Sequence, residues 1–393
     1  MAVSLSLHGA IAAPRATAAS RGEYLAGAGD CIVCHTRNGG QPFAGGYPLH
    51  AQFGTVYSTN ITPDRGTGIG TWTASDFYSA LHEGKAADGH RLYPAFPYPY
   101  FTHISRADSD ALYSYLMTVR PVRYASPADS LVFPANVRAM MVFWNLLFFS
   151  REPWRADPAR SVAWNRGALI VNGIAHCGGC HTPKNFLFAD KTAQVFQGEV
   201  VDGWFAANLT GSKSDGLGSW TEADLVQYLR TGKNRFGYVT GPMQDVVSFS
   251  TSRMSDTDLA AIATYLKSLP SGSESQRTAP SAPAMAAGQS IFSQRCASCH
   301  QESAAASASP DFPRLTGNTL VLARDPTTLL RIILQGSQSA EVPGMPVGFS
   351  MPAFPVLTSE ELAALTTYIR NAWGNDASTV TAAQAAAAKQ RPN

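Results

Sequence analysis

An all-α fold of three tandem helical units is what this 393-residue sequence predicts, and three observations predict it. The pentapeptide Cys-x-x-Cys-His occurs as Cys31-Ile32-Val33-Cys34-His35, as Cys177-Gly178-Gly179-Cys180-His181 and as Cys296-Ala297-Ser298-Cys299-His300, and these copies use all six cysteines. A short helix-like segment precedes each copy: Arg21-Gly22-Glu23-Tyr24-Leu25, Arg166-Gly167-Ala168-Leu169-Ile170 and Ala287-Gly288-Gln289-Ser290-Ile291-Phe292. Each unit then closes with a helix opened by one capping pattern: Ser105 with Asp108, Ser255 with Asp258, Thr358 with Glu361.

Two thiols separated by two residues reach one edge of a porphyrin from a single turn of chain. The histidine that follows at once swings its imidazole over the metal, which is the attachment pattern of a c-type haem. A redox dithiol or half of a zinc site has similar spacing, but neither explains a histidine after every pair. Three covalent haem c groups are therefore expected. Cys31, Cys34, Cys177, Cys180, Cys296 and Cys299 would form the thioethers, and His35, His181 and His300 would be the proximal iron ligands. An N-terminal helix crossing a C-terminal helix around a haem is the class I-type cytochrome c architecture. The prediction is three such domains, at 21–125, 165–270 and 287–375, joined by linkers at 126–164 and 271–286.

Between the haem motif and the last helix the first two units carry a second marker. It reads Gly68-Ile69-Gly70-Thr71-Trp72-Thr73 with Asp76, and Gly216-Leu217-Gly218-Ser219-Trp220-Thr221 with Asp224. Thr with an acid three residues on starts a helix, which Gly84 and Gly232 end. Trp72 and Trp220 are expected beside a haem edge or in the core. In the third unit Asp325-Pro326-Thr327 starts the matching helix and Gly336 closes it. The last helices show apolar residues at helical spacing: Tyr113 and Leu116; Leu259, Ile262, Tyr265, Leu266 and Leu269; Leu362, Leu365, Tyr368 and Ile369. The linker from Ser271 is rich in Ser, Pro and Ala and reads as an extended connector. The tail beyond Gly374 reads as disordered or weakly helical. The first linker contains Ala139 to Phe149, the most apolar window of the chain, interrupted by Asn145 and preceded by Arg138. Two readings stay open for it: a helix packed between domains, or a surface that meets the membrane interface or a membrane-bound partner.

The formal charge is +2 with no basic or acidic block, which argues against nucleic acid as a partner. Charged residues make up 15%, against roughly 25% in an average soluble chain. Loops built from 33 Gly and 25 Pro, an alanine-rich composition and surface covered by other subunits all suit that deficit. Covalent haem attachment takes place outside the bacterial cytoplasmic membrane, so the chain is expected on the periplasmic side. Leu5 to Ala13 resembles the end of a signal peptide with an Ala-x-Ala-type site at Ala10-Ile11-Ala12, and the missing basic segment points to a start upstream. No apolar run of about 20 residues occurs, so no membrane-spanning helix is expected.

A haem held by one histidine needs a second axial ligand for electron transfer, and methionine there raises the potential relative to histidine. The loop before each last helix offers Met243 in Gly241-Pro242-Met243 and Met351 in Ser350-Met351-Pro352, preferred to Met254 and Met345. In the first unit Tyr93-Pro94-Ala95-Phe96-Pro97-Tyr98 puts Phe96 where methionine would stand, and phenylalanine cannot bind iron. The remaining candidates for haem one are His103, Met117, His90 and His82, with His103 favoured because it shares the loop. Without any of them the iron is five-coordinate.

The chain resembles the three-haem cytochrome c subunits of bacterial membrane-associated periplasmic dehydrogenases. The resemblance is carried by Gly22-Glu23-Tyr24-Leu25-Ala26 leading to Gly29-Asp30-Cys31, Asn60-Ile61-Thr62-Pro63-Asp64, Trp164-Asn165-Arg166-Gly167 and His176-Cys177. It extends through Val201-Asp202-Gly203-Trp204 and Gly241-Pro242-Met243 to Tyr368-Ile369-Arg370-Asn371-Ala372-Trp373-Gly374. It implies a subunit that takes electrons from a catalytic dehydrogenase subunit and delivers them to ubiquinone or a terminal oxidase, in peripheral contact with the membrane. Catalytic partners in the family include quinoprotein alcohol dehydrogenases, flavoprotein dehydrogenases of gluconate, fructose or sorbitol, and molybdenum hydroxylases of aldehydes or N-heterocycles that work through an iron–sulfur subunit. Phe96 resembles the molybdenum-hydroxylase branch, since the other branches carry methionine in that phrase.

Three functions compete. An electron-relay subunit needs no substrate pocket, and the sequence has no nucleotide-binding glycine motif and no nucleophile–base arrangement. A haem enzyme of peroxidase type would use a five-coordinate haem one. A free periplasmic electron carrier would need no partner subunit. The relay is favoured.

Overall fold

The computed structural model describes residues 18–272, 277–300, 312–345 and 350–390; the signal-like segment Leu5 to Ala13 lies outside them. The described chain is mostly helical. In every unit the first helix (Ala18–Ala28, Val162–Leu169, Ala282–Arg295) crosses the last (Arg106–Leu116, Asp256–Lys267, Ser359–Asn371) at a glycine. A Cβ on Gly22 would stand 2.0 Å from the Ala111 carbonyl oxygen, on Gly167 1.9 Å from that of Ala261, and on Gly288 2.3 Å from that of Ala364. Only a residue without a side chain lets the helix backbones come this close.

The expected caps form. Thr73 with Asp76 and Thr221 with Asp224 are full capping boxes at the starts of Ala74–Glu83 and Glu222–Thr231. At the last helices Thr358 and Glu361 make the third box. Ser105 and Ser255 cap without the return bond of a full box, and the acid of each pattern pairs with an arginine of the crossing helix. Arg21 Nε lies 2.6 Å from Asp108, and Arg166 grips both oxygens of Asp258 at 2.8 Å. Short antiparallel hairpins join the expected helices. Pro48–Ala51 pairs with Gly54–Tyr57, to which Ser130–Leu131 adds; Glu199–Val201 pairs with Trp204–Ala206, and Lys233–Asn234 with Gly237–Tyr238.

The first two units share one hydrophobic core, reaching from Leu25 to Leu266, while the third has its own from Phe292 to Ala388. The seam between units one and two is reciprocal. Ser250, after Met243, donates to the Ala28 carbonyl of unit one at 3.2 Å. In return the loop after Phe96 rests on Ile170–Ile174 of unit two, where His103 Nδ1 donates to the Asn172 carbonyl at 3.0 Å. Tyr24 ties the seam further by donating to Asp258 at 2.5 Å. Unit three docks on the Glu199–Ala206 hairpin. Its Arg331 guanidinium lies 4.5 Å over the Trp204 ring, its Thr328 accepts from the Phe205 N–H at 2.8 Å, and its Arg324 pairs with buried Asp215 at 2.8 Å.

Two expectations are sharpened: the helical of the two readings of the tail holds, and one helix start moves. The tail beyond Gly374 contains a helix, Ala382–Gln390, whose Ala385 and Ala388 are buried in the third core. Its alanines carry almost no sequence signal of amphipathicity, yet their small side chains allow close packing. The third unit's first helix also starts ahead of Ala287, at Ala282 behind the Ser281 cap, which shortens the connector.

Candidate haem-attachment sites

Each Cys-x-x-Cys-His lies on one short helical turn: Cys31–Cys34 with His35 next, Cys177 capping Gly178–His181, and Cys296, which ends Ala282–Arg295, leading directly into Ala297–His300. None of the six thiols is in a disulfide. Burial pushes the Cys31, Cys34 and Cys177 thiols up to about 12 and Cys296 to about 11. Burial also lowers the pKa of His35, His181 and His300, keeping each imidazole in the neutral form that binds metal.

The imidazoles are oriented from behind. His35 Nδ1 donates to the Thr59 carbonyl at 2.7 Å and His181 Nδ1 to the Ala207 carbonyl at 2.7 Å, which fixes the tautomer and leaves Nε2 for a metal. Those carbonyls are held by the next residue. Asn60 accepts from the Thr62 N–H at 2.9 Å and donates to the Val122 carbonyl at 2.7 Å. Asn208 accepts from the Thr210 N–H at 2.9 Å and donates to Asp215 at 3.0 Å. The phrase Asn60-Ile61-Thr62 and its counterpart Asn208-Leu209-Thr210 were the signal for this supporting layer, and their role was missed from sequence. In the third site His300 Nδ1 is buried facing the Pro313 carbonyl without closing a hydrogen bond.

Trp220 is buried, stacked on Phe236 at 5.1 Å, and its indole N–H has no partner. A buried donor of this kind calls for an acceptor, and haem brings carboxylates. Together with paired thiols and neutral, back-anchored imidazoles, this set of residues fits haem c.

The loops opposite differ. The Leu92 N–H donates to the Gly84 carbonyl at 2.8 Å, as Val239 does to Gly232. Counted from that bond Phe96 is level with Met243, whereas counted from the helix that follows, capped by Pro97 and by Pro242, Tyr98 is. Met243 is half-buried at the start of Met243–Asp245. Met351 does not share that register, contrary to the expected match. It bridges to Ser337, the place that Arg91 and Tyr238 take in the other units. Residues 346–349 of this loop lie outside the described residues. Met254 is buried in the shared core, and Met345 is exposed.

The candidates for the first site are scattered. His82 is buried with Nδ1 3.1 Å from the Tyr78 carbonyl and Nε2 against that of Ile104, so both nitrogens are engaged. His90 is exposed beside Asp88. His103 sits in the seam, held by Asn172, its ring 6.1 Å from that of Trp154. Met117 packs on the core at the end of Arg106–Leu116. Phe96 itself packs edge-on against Phe101 at 5.4 Å.

The sites and their helical frame define a c-type cytochrome, and the comparisons agree. The cytochrome c family model matches residues 165–270 and 285–373. The chain is 38% identical to the fructose dehydrogenase cytochrome subunit of Gluconobacter japonicus, over 92% of this chain and 81% of that one. It is 39% identical to the gluconate 2-dehydrogenase cytochrome c subunit of Pantoea cypripedii, over 94% and 89%. It is 40% identical to a nicotinate dehydrogenase subunit of Pseudomonas putida, over 91% of this chain but 30% of that longer protein. The chain belongs to the family of dehydrogenase cytochrome c subunits.

Proposed function

We propose that this chain is the electron-transfer subunit of a periplasmic dehydrogenase complex, built as three cytochrome c domains with three covalent haems. It would take electrons from a catalytic subunit and pass them to ubiquinone or a terminal oxidase. The observation that carries the reading is the threefold repetition of one frame: a glycine-crossed helix pair, with Cys-x-x-Cys-His on one turn between the helices. When bound, haem c supplies the one-electron chemistry. The six cysteines would anchor it, His35, His181 and His300 would be its iron-binding imidazoles, and Met243 and Met351 would be the candidate second ligands at the second and third sites. Co-purification of a catalytic subunit, identified by mass spectrometry, tests the assignment; a soluble monomer without a partner would instead favour a free carrier. Phe96 favours, through the family resemblance, a molybdenum-hydroxylase-type partner with its iron–sulfur subunit; the identities to the fructose, gluconate and nicotinate dehydrogenase subunits, 38%, 39% and 40%, do not separate the partner types.

Met243→Ala is expected to lower the potential of the second haem while its covalent attachment stays intact, and Met351→Ala to do so at the third. Potentiometry of the purified variants decides, and an unchanged potential refutes that ligand. At the first site Phe96, level with Met243 when counted from the Leu92–Gly84 bond, supports a second reading, a five-coordinate haem open to small ligands. Carbon monoxide difference spectra separate the two. Rapid binding to one haem in three supports the open site, and no binding supports a ligand such as His103.

The apolar linker supplies the membrane contact in this proposal. The helix Met141–Phe148 buries Trp144, whose indole donates to the Leu187 carbonyl at 2.9 Å, while Tyr98 donates to Asn145 at 2.5 Å. Phe143, Leu146 and Leu147 are left exposed, as are Phe133 and Phe186 nearby. Arg138, the cation directly before this window, is paired with Asp129 and stacked on Tyr93. An uncharged aromatic and aliphatic face of this size suits a lipid interface.

A further inference from the structure

Asp30 stands directly before the first cysteine of site one. It is 8% exposed, left-handed (φ 53°), and its Oδ1 has no hydrogen-bond partner. His176 holds the same place before Cys177. It too is left-handed (φ 36°), and both backbone N–H groups donate to the carbonyl three residues back, Gly27 and Gly173, at 3.0 Å. The two positions meet across the reciprocal seam, where His176 Nε2 lies 3.3 Å from the Gly29 carbonyl oxygen. Within charge–charge reach of the Asp30 carboxyl are Asp245 from the segment after Met243, Tyr47 from the loop before the first hairpin, and the sulfurs of Cys31, Cys34 and Cys180. None is a cation. Lys184, beside Cys180, is taken by Asp190. Burial lowers the pKa of His176, so it offers no positive charge either.

We propose that Asp30 is a proton-binding site shared by the first two haem sites, which takes up a proton when an electron arrives and releases it when the electron leaves. The inference rests on reading those two sites as haem sites. The electron comes from the dehydrogenase reaction and the proton from solvent, and the O–H bond of the carboxyl is the one bond made and broken. A carboxylate buried without donor or counter-charge is disfavoured against the neutral acid. Burial, then the charge of Asp245, pushes its pKa up to about 7. An added electron nearby is a further negative charge and raises it again. By linkage, the potential of the adjacent haem then falls with rising pH between the oxidised-state and reduced-state pKa values.

The test is potentiometry of the full holoprotein at pH values spanning neutrality, with proton uptake on reduction followed by an indicator dye. The expected result is a potential that falls with rising pH for at least one haem of the first pair. That dependence is lost in Asp30→Asn and kept in Asp30→Glu. A flat wild-type profile without proton uptake, or a slope that survives in Asp30→Asn, overturns the proposal. Should Asp30→Asn lose haem, the wild-type profile and dye signal decide alone. Mass spectrometry of covalent haem separates the two levels. Full loading with a flat profile sinks the proton site only, whereas wild-type protein without haem at Cys31 and Cys34 sinks the haem reading beneath it.

Discussion

Replacing Gly167 by alanine is expected to lower the melting temperature of the protein and to deplete covalent haem at Cys177 and Cys180. The new Cβ would stand 1.9 Å from the Ala261 carbonyl oxygen and 2.9 Å from the Tyr265 Cβ. Both obstacles belong to the partner helix, and the nearer is backbone, so no rotamer change relieves the clash. The helices must separate by more than an ångström, which also pulls Arg166 off Asp258. Overpacking typically costs about 1–3 kcal/mol, and a clash with rigid backbone belongs at the top of that range. For a cooperative body the size of the joined first two units, about 3 kcal/mol corresponds to roughly 6–12 °C. Because these units share a core, loosening one loosens the other. Calorimetry beside a haem count reads both effects, and a variant that melts like the wild type would disprove the tight crossing. Gly22 and Gly288 meet Ala111 and Ala364 in the same way, so alanine there should act alike.

Features decided within a few residues were legible in the sequence. The Cys-x-x-Cys-His turns, the Thr73, Thr221 and Thr358 caps, and the glycines at the ends of helices depend on neighbouring residues. The structure reproduces them where expected. Features made by residues distant in the chain were not legible. The repeated Asn-x-Thr phrase marks Asn60 but does not say that it braces the carbonyl behind His35, because its partners, Thr67, Val122 and Tyr124, come from later loops. Arg370 gives no hint that it is buried with its guanidinium on the Val321, Ala323 and Ser378 carbonyls. The helix at Ala382–Gln390 is nearly all alanine and glutamine, so only the groove it fills makes it a core element. The Met243–Met351 match failed for a related reason. Counting along a loop from a glycine measures chain length, whereas register is set by which strand residues bridge.

Converting Phe143, Leu146 and Leu147 together to glutamate is expected to release the protein from membranes while leaving its three candidate haem sites intact. These side chains project from Met141–Phe148 at 60%, 82% and 68% exposure, so their loss removes little from the folded core. The helix itself is pinned from the other side by Trp144 and Asn145, which the triple variant keeps. Burying each large apolar side chain in a lipid interface contributes about 1.5–3 kcal/mol. Losing three therefore weakens partitioning by at least roughly a thousandfold, before the cost of bringing three carboxylates to that surface is added. Flotation with liposomes would measure the loss directly, with the absorbance spectrum and melting temperature as checks on the fold. If the variant still floats, the face serves a protein partner and lipid is not its occupant. Co-purification of the catalytic subunit should then drop instead, because a subunit interface would lose the same contacts. If flotation is lost and co-purification survives, the two surfaces are separate: one holds the chain at the membrane, and the other receives electrons.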